Sequence, residues 1–110
     1  MRVAITTDGK SVSKQFLTTK GLEIFEVQQG KANNKILVDT SVGGNYKDLS
    51  YILQNEGVDV LLCGDIKNHE KKELEECGLQ VFSGAKGSTS SILNAYLRSL
   101  RQSEGNGRNK

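Results

Sequence analysis

The sequence holds few of the residues that metal sites and catalytic triads require. Its 110 residues include a single histidine, His69, and two cysteines, Cys63 and Cys77. The spacing of these cysteines matches no zinc pattern, and one histidine cannot supply the missing ligands. Without a secretory signal, two cysteines also argue against a disulfide framework. No Gly-x-Ser-x-Gly motif is present, so the sequence offers no nucleophilic triad.

Long apolar runs and charge of one sign are also lacking. No apolar stretch approaches the roughly 20 residues that cross a bilayer, and the N-terminal one is too short for a signal sequence. We therefore expect a cytoplasmic protein without a membrane partner. The net charge is +2, and the basic residues at the C-terminus have only Tyr96 among them. Nucleic-acid modules combine clustered basic residues with aromatic ones, so nucleic acid is not an expected partner.

Apolar periodicity and turn residues predict eight elements in the order β-β-β-α-β-α-β-α. Apolar runs predict strands at residues 1–6, 21–28, 35–39, 58–63 and 79–82. Helical spacing predicts helices that begin near residues 46, 69 and 88, with Asn45 and Asn68 as N-caps of the first two. A turn at residues 29–31 joins strands two and three in a hairpin. Residues 10–20 are expected to form a loop over the end of the sheet.

This order predicts an α/β fold, with a mixed five-stranded sheet of ribonuclease-H-like type and helices packed on it. Strands one, four and five are the most apolar, so we expect them to be central and mutually parallel, with the hairpin next to strand one. Residues 1–102 then form a single domain. Residues 103–110 are expected to be a disordered tail, because they have nothing to bury.

The end of strand four is the expected binding site, because parallel sheets bind ligands past the carboxyl ends of their strands. Cys63, Gly64 and Asp65 lie at that point, and His69 follows. Cys63 is either a thiolate whose pKa is lowered by the next helix N-terminus, or a small buried hydrophobe. His69 is either a nitrogen ligand or an exposed residue of a polar helix. Asp8 and Asp65 end neighbouring strands, so they either hold a hard cation or only shape turns.

The segment 84–89 leads into the last helix and contains two glycines, Lys86 and the hydroxyls of Ser88 and Thr89. Backbone amides at a helix N-terminus bind anions, which makes Gly87 and Ser88 candidate binding residues. The order of glycine and lysine is wrong for a Walker A loop. Ordinary N-capping by Ser88 is the alternative.

Six pieces of the sequence occur in a characteristic order. They are Arg2-Val-Ala-Ile-Thr-Thr-Asp-Gly9, Val12-Ser13-x-x-Phe16, Gly57-Val-Asp-Val-Leu-Leu-Cys-Gly64, Glu73-Leu-Glu-Glu-Cys-Gly-Leu79, Val81-Phe-Ser-Gly84 and Gly87-Ser-Thr89. In this order the chain resembles the nitrogenase accessory-factor family, the dinitrogenase iron–molybdenum cofactor-binding (NifX-like) proteins. The resemblance covers about residues 1–100.

The resemblance implies a metal-cluster site, and several positions depart from the family pattern. Gln15 stands where the family typically has a loop histidine, and Gly44-Asn45 stands where a second loop often has Gly-His. An amide is not a metal ligand of imidazole strength, which leaves Cys63 and His69 as the candidate metal ligands. The candidate cofactor-binding residues are Asp8, Gln15, Gly64, Asp65, Gly87 and Ser88.

By this resemblance the chain is a small non-catalytic carrier or chaperone module. It would transiently hold an iron–sulfur or iron–molybdenum type cluster, received from a cluster-donating protein and passed to a cluster-accepting one. The alternative is a regulatory or protein-interaction domain of the same fold that has lost metal binding. A third interpretation is an enzyme with a carboxylate-bound divalent metal, but a nuclease of ribonuclease-H type would need a third converging carboxylate.

Overall fold

The computed structural model describes residues 1–40 and 46–108, and the side chains among them except those of residues 46, 47 and 102–108. Within these ranges the strands are β1 (Arg2–Thr7), β2 (Gly21–Gln28), β3 (Lys31–Asp39), β4 (Val60–Leu62) and β5 (Gln80–Phe82). The helices are α1 (Tyr46–Asn55), α2 (Asn68–Glu76) and α3 (Thr89–Arg108), with a short 3-10 helix at Phe16–Thr18. None of the described helices is long and apolar enough to span a membrane.

The five strands form one mixed sheet in the order β3-β2-β1-β4-β5. β1 is parallel to β4, and β4 is parallel to β5. β1 is antiparallel to β2, which is antiparallel to β3. The predicted arrangement of three parallel strands with a hairpin beside strand one is therefore confirmed. The carboxyl ends of β1, β4 and β5 lie at one edge of the sheet, where the candidate site was expected.

The hairpin is tighter than the sequence predicts. Gln28 pairs with Lys31, so β3 begins at Lys31 rather than residue 35. The two turn residues, Gln29 and Gly30, have φ angles of 53° and 75°, and positive φ at both positions is typical of a type I′ turn. The register shifts between Ile24 and Glu26, and Asn34, on the partner strand, has φ 55°. This irregularity is a β-bulge, which the sequence pattern did not reveal.

The sheet has an apolar core on each face. One core packs α1 and α2 against the sheet and includes Leu53, Leu61 and Leu74, all fully buried. The other packs α3 against the opposite face through Leu93 and Leu97. The side chains of β1 alternate between the two faces, with Ala4 in the first core and its neighbours in the second.

Two helix ends differ from the sequence prediction, and the predicted start of a third helix lies outside the described residues. Lys67 rather than Asn68 precedes the first turn of α2, where its amide donates to the buried Glu70 carboxylate at 3.3 Å. α3 continues to Arg108, so residues 103–108 extend the helix where composition predicts a disordered tail. This extension is possible because the chain has no proline to end the helix, and each glycine within a helix costs only about 1 kcal/mol. Asn45, the predicted N-cap of α1, lies outside the described residues.

Candidate functional site

A cavity of about 460 Å³ lies at the carboxyl edge of the parallel strands. We call it the crevice. Three segments line it, from the loop after β1, the turn after β4 and the loop after β5. Its lining residues are Ser11, Val12, Lys14, Gly64, Asp65, Gly84, Ala85, Lys86 and Gly87.

Backbone hydrogen bonds join the loop after β1 to the turn after β4. The Asp65 amide donates to the Lys14 carbonyl at 2.7 Å, and the Phe16 amide donates to the Asp65 carbonyl at 2.8 Å. These bonds place Gln15 beside Asp65, and the two residues form an isolated parallel β-bridge. Gly64 is required here, because a Cβ would overlap the carbonyl oxygens of Ser13 and Lys14. The loop after β1 is therefore held against the turn after β4, and Gln15 lies at the position where the resemblance implies a histidine.

Gln15 itself borders a second, smaller cavity of about 200 Å³, which we call the side cavity. Asp65 lines both cavities. Lys67 and Glu70 also line the side cavity, so the N-terminus of α2 opens there and not into the crevice. The loop after β5 meets the turn after β4, since the Gly84 amide donates to the Gly64 carbonyl at 3.0 Å.

The loop after β5 presents backbone amides at the start of α3. The Ser91 amide donates to Ser88 Oγ at 3.1 Å, which identifies Ser88 as the N-cap of α3. Within the described part of the chain, the amides of Lys86, Gly87 and Ser88 donate to no protein acceptor. N-capping and anion binding are therefore compatible, because the cap uses the Ser88 hydroxyl and leaves its amide uncommitted.

Charge in the crevice favours an anion. The exposed Lys14 and Lys86 line it together with Asp65, which gives two ammonium groups against one carboxylate. The uncommitted amides add the partial positive charge of the α3 N-terminus. The sequence gives no indication that Lys14 is a binding residue, because only the backbone pairing with Asp65 brings it to the crevice.

Cys63 does not present its thiol to the crevice. Its side chain is fully buried in the core formed with α1 and α2. Burial raises the pKa of the Cys63 thiol to about 12, with smaller opposing and reinforcing effects from Lys71 and Asp65. Of the two alternatives for Cys63, the small buried hydrophobe agrees with this position, and the thiolate with a lowered pKa does not, because burial disfavours the charged form.

Two further candidates lie away from the crevice. His69 is exposed on the first turn of α2 and is absent from the lining of the crevice and of the side cavity. The Asp8 carboxylate accepts from Ser13 Oγ at 2.7 Å and from the Lys20 amide at 3.3 Å. It borders a different cavity, so Asp8 and Asp65 are not brought together on one cation. Among the side chains that the structure describes, those of residues 1–40 and 48–101, no three of histidine, cysteine or acidic type are close enough to hold a metal ion.

Gln15, Gly64, Asp65, Gly87 and Ser88 are thus brought to neighbouring positions at one sheet edge, while Cys63, His69 and Asp8 are not. The hydrogen-bond donors of the crevice are backbone amides, two ammonium groups and the Ser11 hydroxyl, beside the one carboxylate of Asp65. These groups suit hydrogen bonding to the surface of an anion. They do not suit direct ligation of iron, which prefers thiolate in clusters.

Solved structures with the same fold were found at low sequence identity. The crystal structure of PH0822 has a TM-score of 0.83 at 22% identity, covering 90% of this chain and 90% of that one. A protein of Methanocaldococcus jannaschii, provisionally described as a dinitrogenase, has a TM-score of 0.73 at 18% identity, covering 90% and 89%. The apo form of the orange protein from Desulfovibrio gigas has a TM-score of 0.71 at 20% identity, covering 93% and 88%. These similarities establish the fold alone.

No match was found among curated protein sequences. The family model described as "Dinitrogenase iron-molybdenum cofactor" matches residues 1–99, which is nearly the whole chain. The match includes every segment that lines the crevice. The chain therefore belongs to the dinitrogenase iron–molybdenum cofactor family.

Proposed function

We propose that this protein is a non-catalytic carrier of an anionic metal–sulfur cluster of the iron–sulfur or iron–molybdenum type. The cluster is cargo, taken from a cluster-donating protein and passed to a cluster-accepting protein in the cytoplasm. Membership of the family supports the identity of the cargo. The observation that carries the proposal is the pair of uncommitted amides of Lys86 and Gly87, which line one crevice with the two lysines. The uncommitted amide of Ser88 follows them directly in the chain.

The residues present would hold such cargo through hydrogen bonds and charge. The amides of Lys86, Gly87 and Ser88 would donate to sulfide or carboxylate atoms on the cluster surface. Lys14 and Lys86 would balance its negative charge. The carboxylate of Asp65 repels an anion, so we expect the cargo to lie toward the loop after β5.

Holding cargo without covalent ligands fits a transient role. Lys14, Lys86 and Gly87 are all exposed, so a partner protein could reach cargo in the crevice directly. Charge-assisted hydrogen bonds exchange with water and with other donors without breaking a metal–ligand bond. Release to an acceptor would then need no chemical step in this protein.

One observation favours the alternative, a regulatory or protein-interaction domain that has lost metal binding. Gln15 replaces the family histidine, and in the described residues no cysteine or histidine borders the crevice. An enzyme with a carboxylate-bound metal has less support, because Asp8 and Asp65 line separate cavities. The ribonuclease-H-like label for the fold stays a prediction and implies no activity here.

The test is anaerobic reconstitution with iron and sulfide, followed by desalting, visible absorbance and metal analysis. We expect the wild type to retain a coloured cluster, and the Lys14→Ala/Lys86→Ala variant to lose most of it. Cys63→Ser should retain it, since that thiol is buried and protonated. The matched control is Lys31→Ala/Lys72→Ala, which removes two exposed lysines that do not line the crevice.

Two outcomes would contradict the carrier mechanism. Loss of the cluster in Cys63→Ser but not in the crevice double variant would indicate thiolate ligation. No retained cluster in the wild type would favour the interaction-domain alternative. Anion binding by the loop after β5 can also be followed without a cluster. Titration with sulfate should shift the amide resonances of Lys86, Gly87 and Ser88 at lower sulfate concentrations than those of other residues.

A further inference from the structure

The outer edge of β3 is open and only half protected against pairing. β3 is the first strand in the sheet order and has a neighbour on one side only. Its first half carries two devices that disfavour edge pairing, lysine at Lys31 and a bulge at Asn34. Its second half carries Ile36 and Leu37, whose side chains are 41% and 67% exposed. The part of the edge without a bulge is therefore residues 35–39, where apolar side chains lie between the charged Lys35 and Asp39.

The backbone of this segment has its hydrogen-bonding groups directed outward at alternate residues. The Thr40 amide donates to the Lys20 carbonyl at 3.0 Å, and these two residues directly continue the register that pairs Gly21 with Asp39. In an antiparallel pair, hydrogen-bonded and non-bonded positions alternate. The amide and carbonyl groups of Leu37 consequently face the open edge.

We propose that a second copy of this chain pairs with this edge, antiparallel, around a twofold axis at Leu37. Each Leu37 then lies opposite Leu37 of the second copy, and each Lys35 lies opposite Asp39 of the second copy. The outward backbone groups of both copies meet in this register, and the two β3 strands join their sheets into one. Such a contact uses the same surface on both copies, as a closed dimer requires.

Charge favours this register over the two in which the axis lies nearer the start of β3. An axis at Lys35 would place the two Lys35 side chains opposite each other, and like charges at directly opposed positions destabilise a sheet. An axis at Ile36 would leave Lys35 opposite Leu37 with no charged partner. Lys35 already lies 3.7 Å from the Glu23 carboxylate, but its side chain is 55% exposed and has room for a second carboxylate.

The proposed interface lies at the far end of the sheet from the crevice. β3 and β2 separate it from β1, β4 and β5, which deliver the crevice segments. A dimer formed through β3 would leave both crevices open. The inference therefore stands or falls independently of the carrier function.

Disulfide mapping tests the register. In a Cys77→Ser background, which removes the exposed native thiol, Leu37→Cys should give a nearly complete cross-linked dimer on mild oxidation. Directly opposed residues have Cα atoms about 5.5 Å apart, within disulfide range. Asn33→Cys in the same background is the matched control and should not cross-link. Cross-linking of Leu37→Cys with Asn33→Cys when the two are mixed would instead place the axis at Lys35 and overturn the proposed register.

The oligomeric state of the unmodified chain tests the interface itself. Sedimentation over a hundredfold dilution series should give a species of twice the chain mass at high concentration. Leu37→Lys places two ammonium groups at the axis and should be monomeric throughout, with an unchanged circular dichroism spectrum. Tyr51→Lys changes a residue that is 58% exposed on α1 and should stay dimeric. A monomeric wild type, or a dimer that survives Leu37→Lys, would overturn the proposal.

Discussion

At the scale of single residues, the site depends on three consecutive positions with different environments. Cys63 is fully buried, Gly64 packs against the backbone of residues 13–14, and Asp65 is exposed between two cavities. Only the last two contribute to the crevice. The thiol of Cys63, a candidate metal ligand in the sequence, belongs to the core. Strand alternation continues through this residue before the turn begins.

Burial of Cys63 predicts a distinct reactivity and pH dependence. An aromatic disulfide reagent at neutral pH should modify one thiol per folded chain, Cys77, and two per unfolded chain. The unfolded thiol ionises near its ordinary pKa of 9.0, whereas the folded one stays protonated up to about 12. The contribution of Cys63 to the free energy of unfolding is therefore complete below pH 9 and is lost as pH rises toward 12.

Urea titrations at pH 7 and pH 10 measure this effect. Wild type and Cys77→Ala should lose more stability between the two pH values than Cys63→Ala does. Equal losses in all three chains would show that Cys63 ionises similarly in both states. Rapid modification of two thiols in the folded chain would contradict the burial itself.

At the scale of elements, hydrogen bonds at the start of α3 attach the loop that lines the crevice to β2 and to the loop after β1. Ser88 caps the helix, and Thr89 Oγ1 donates to the buried Glu23 carboxylate of β2 at 3.2 Å. The Thr89 amide also donates to the Lys10 carbonyl at 3.0 Å. The loop after β5 is thus held at its helical end by bonds to two other segments, which fixes the direction of its uncommitted amides.

Removal of the N-cap should cost measurable stability. Ser88→Ala leaves the Ser91 amide without its acceptor, and we expect a loss of about 1 kcal/mol in the free energy of unfolding. Ser90→Ala is the matched control, because Ser90 is exposed in the same turn and has no side-chain hydrogen bond. Its effect should be near zero in urea titrations. Equal effects of both substitutions would show that the cap contributes nothing specific.

At the scale of the whole molecule, β1 is the centre of the fold. It pairs with β2 on one side and β4 on the other, and both faces are covered by helices. Val3, Ala4 and Ile5 are fully buried. α2 has two buried residues and is otherwise largely exposed. Stability should therefore be highest along β1 and lower in α2.

Native-state hydrogen exchange measures this difference. The amides of Val3, Ala4 and Ile5 should exchange only through global unfolding, so their exchange free energy should equal the value from urea titration. Amides in the middle of α2, such as those of Lys72 and Glu73, should exchange through local opening at a lower free energy. Protection in α2 equal to that in β1 would contradict this picture.

The sequence alone determined the element order, the hairpin and the parallel strands, because apolar periodicity and turn residues act between near neighbours in the chain. It also located Ser88, which N-caps α3, and the family pieces. Tertiary structure decided which candidates meet. Hydrogen bonds between the loop after β1 and the turn after β4 bring Lys14 and Gln15 to Asp65, while strand alternation directs Cys63 into the core. The hydrogen bonds between the two loops join residues about fifty positions apart, and no local pattern encodes them; strand alternation is local, but only the packed core decides between the two alternatives for Cys63.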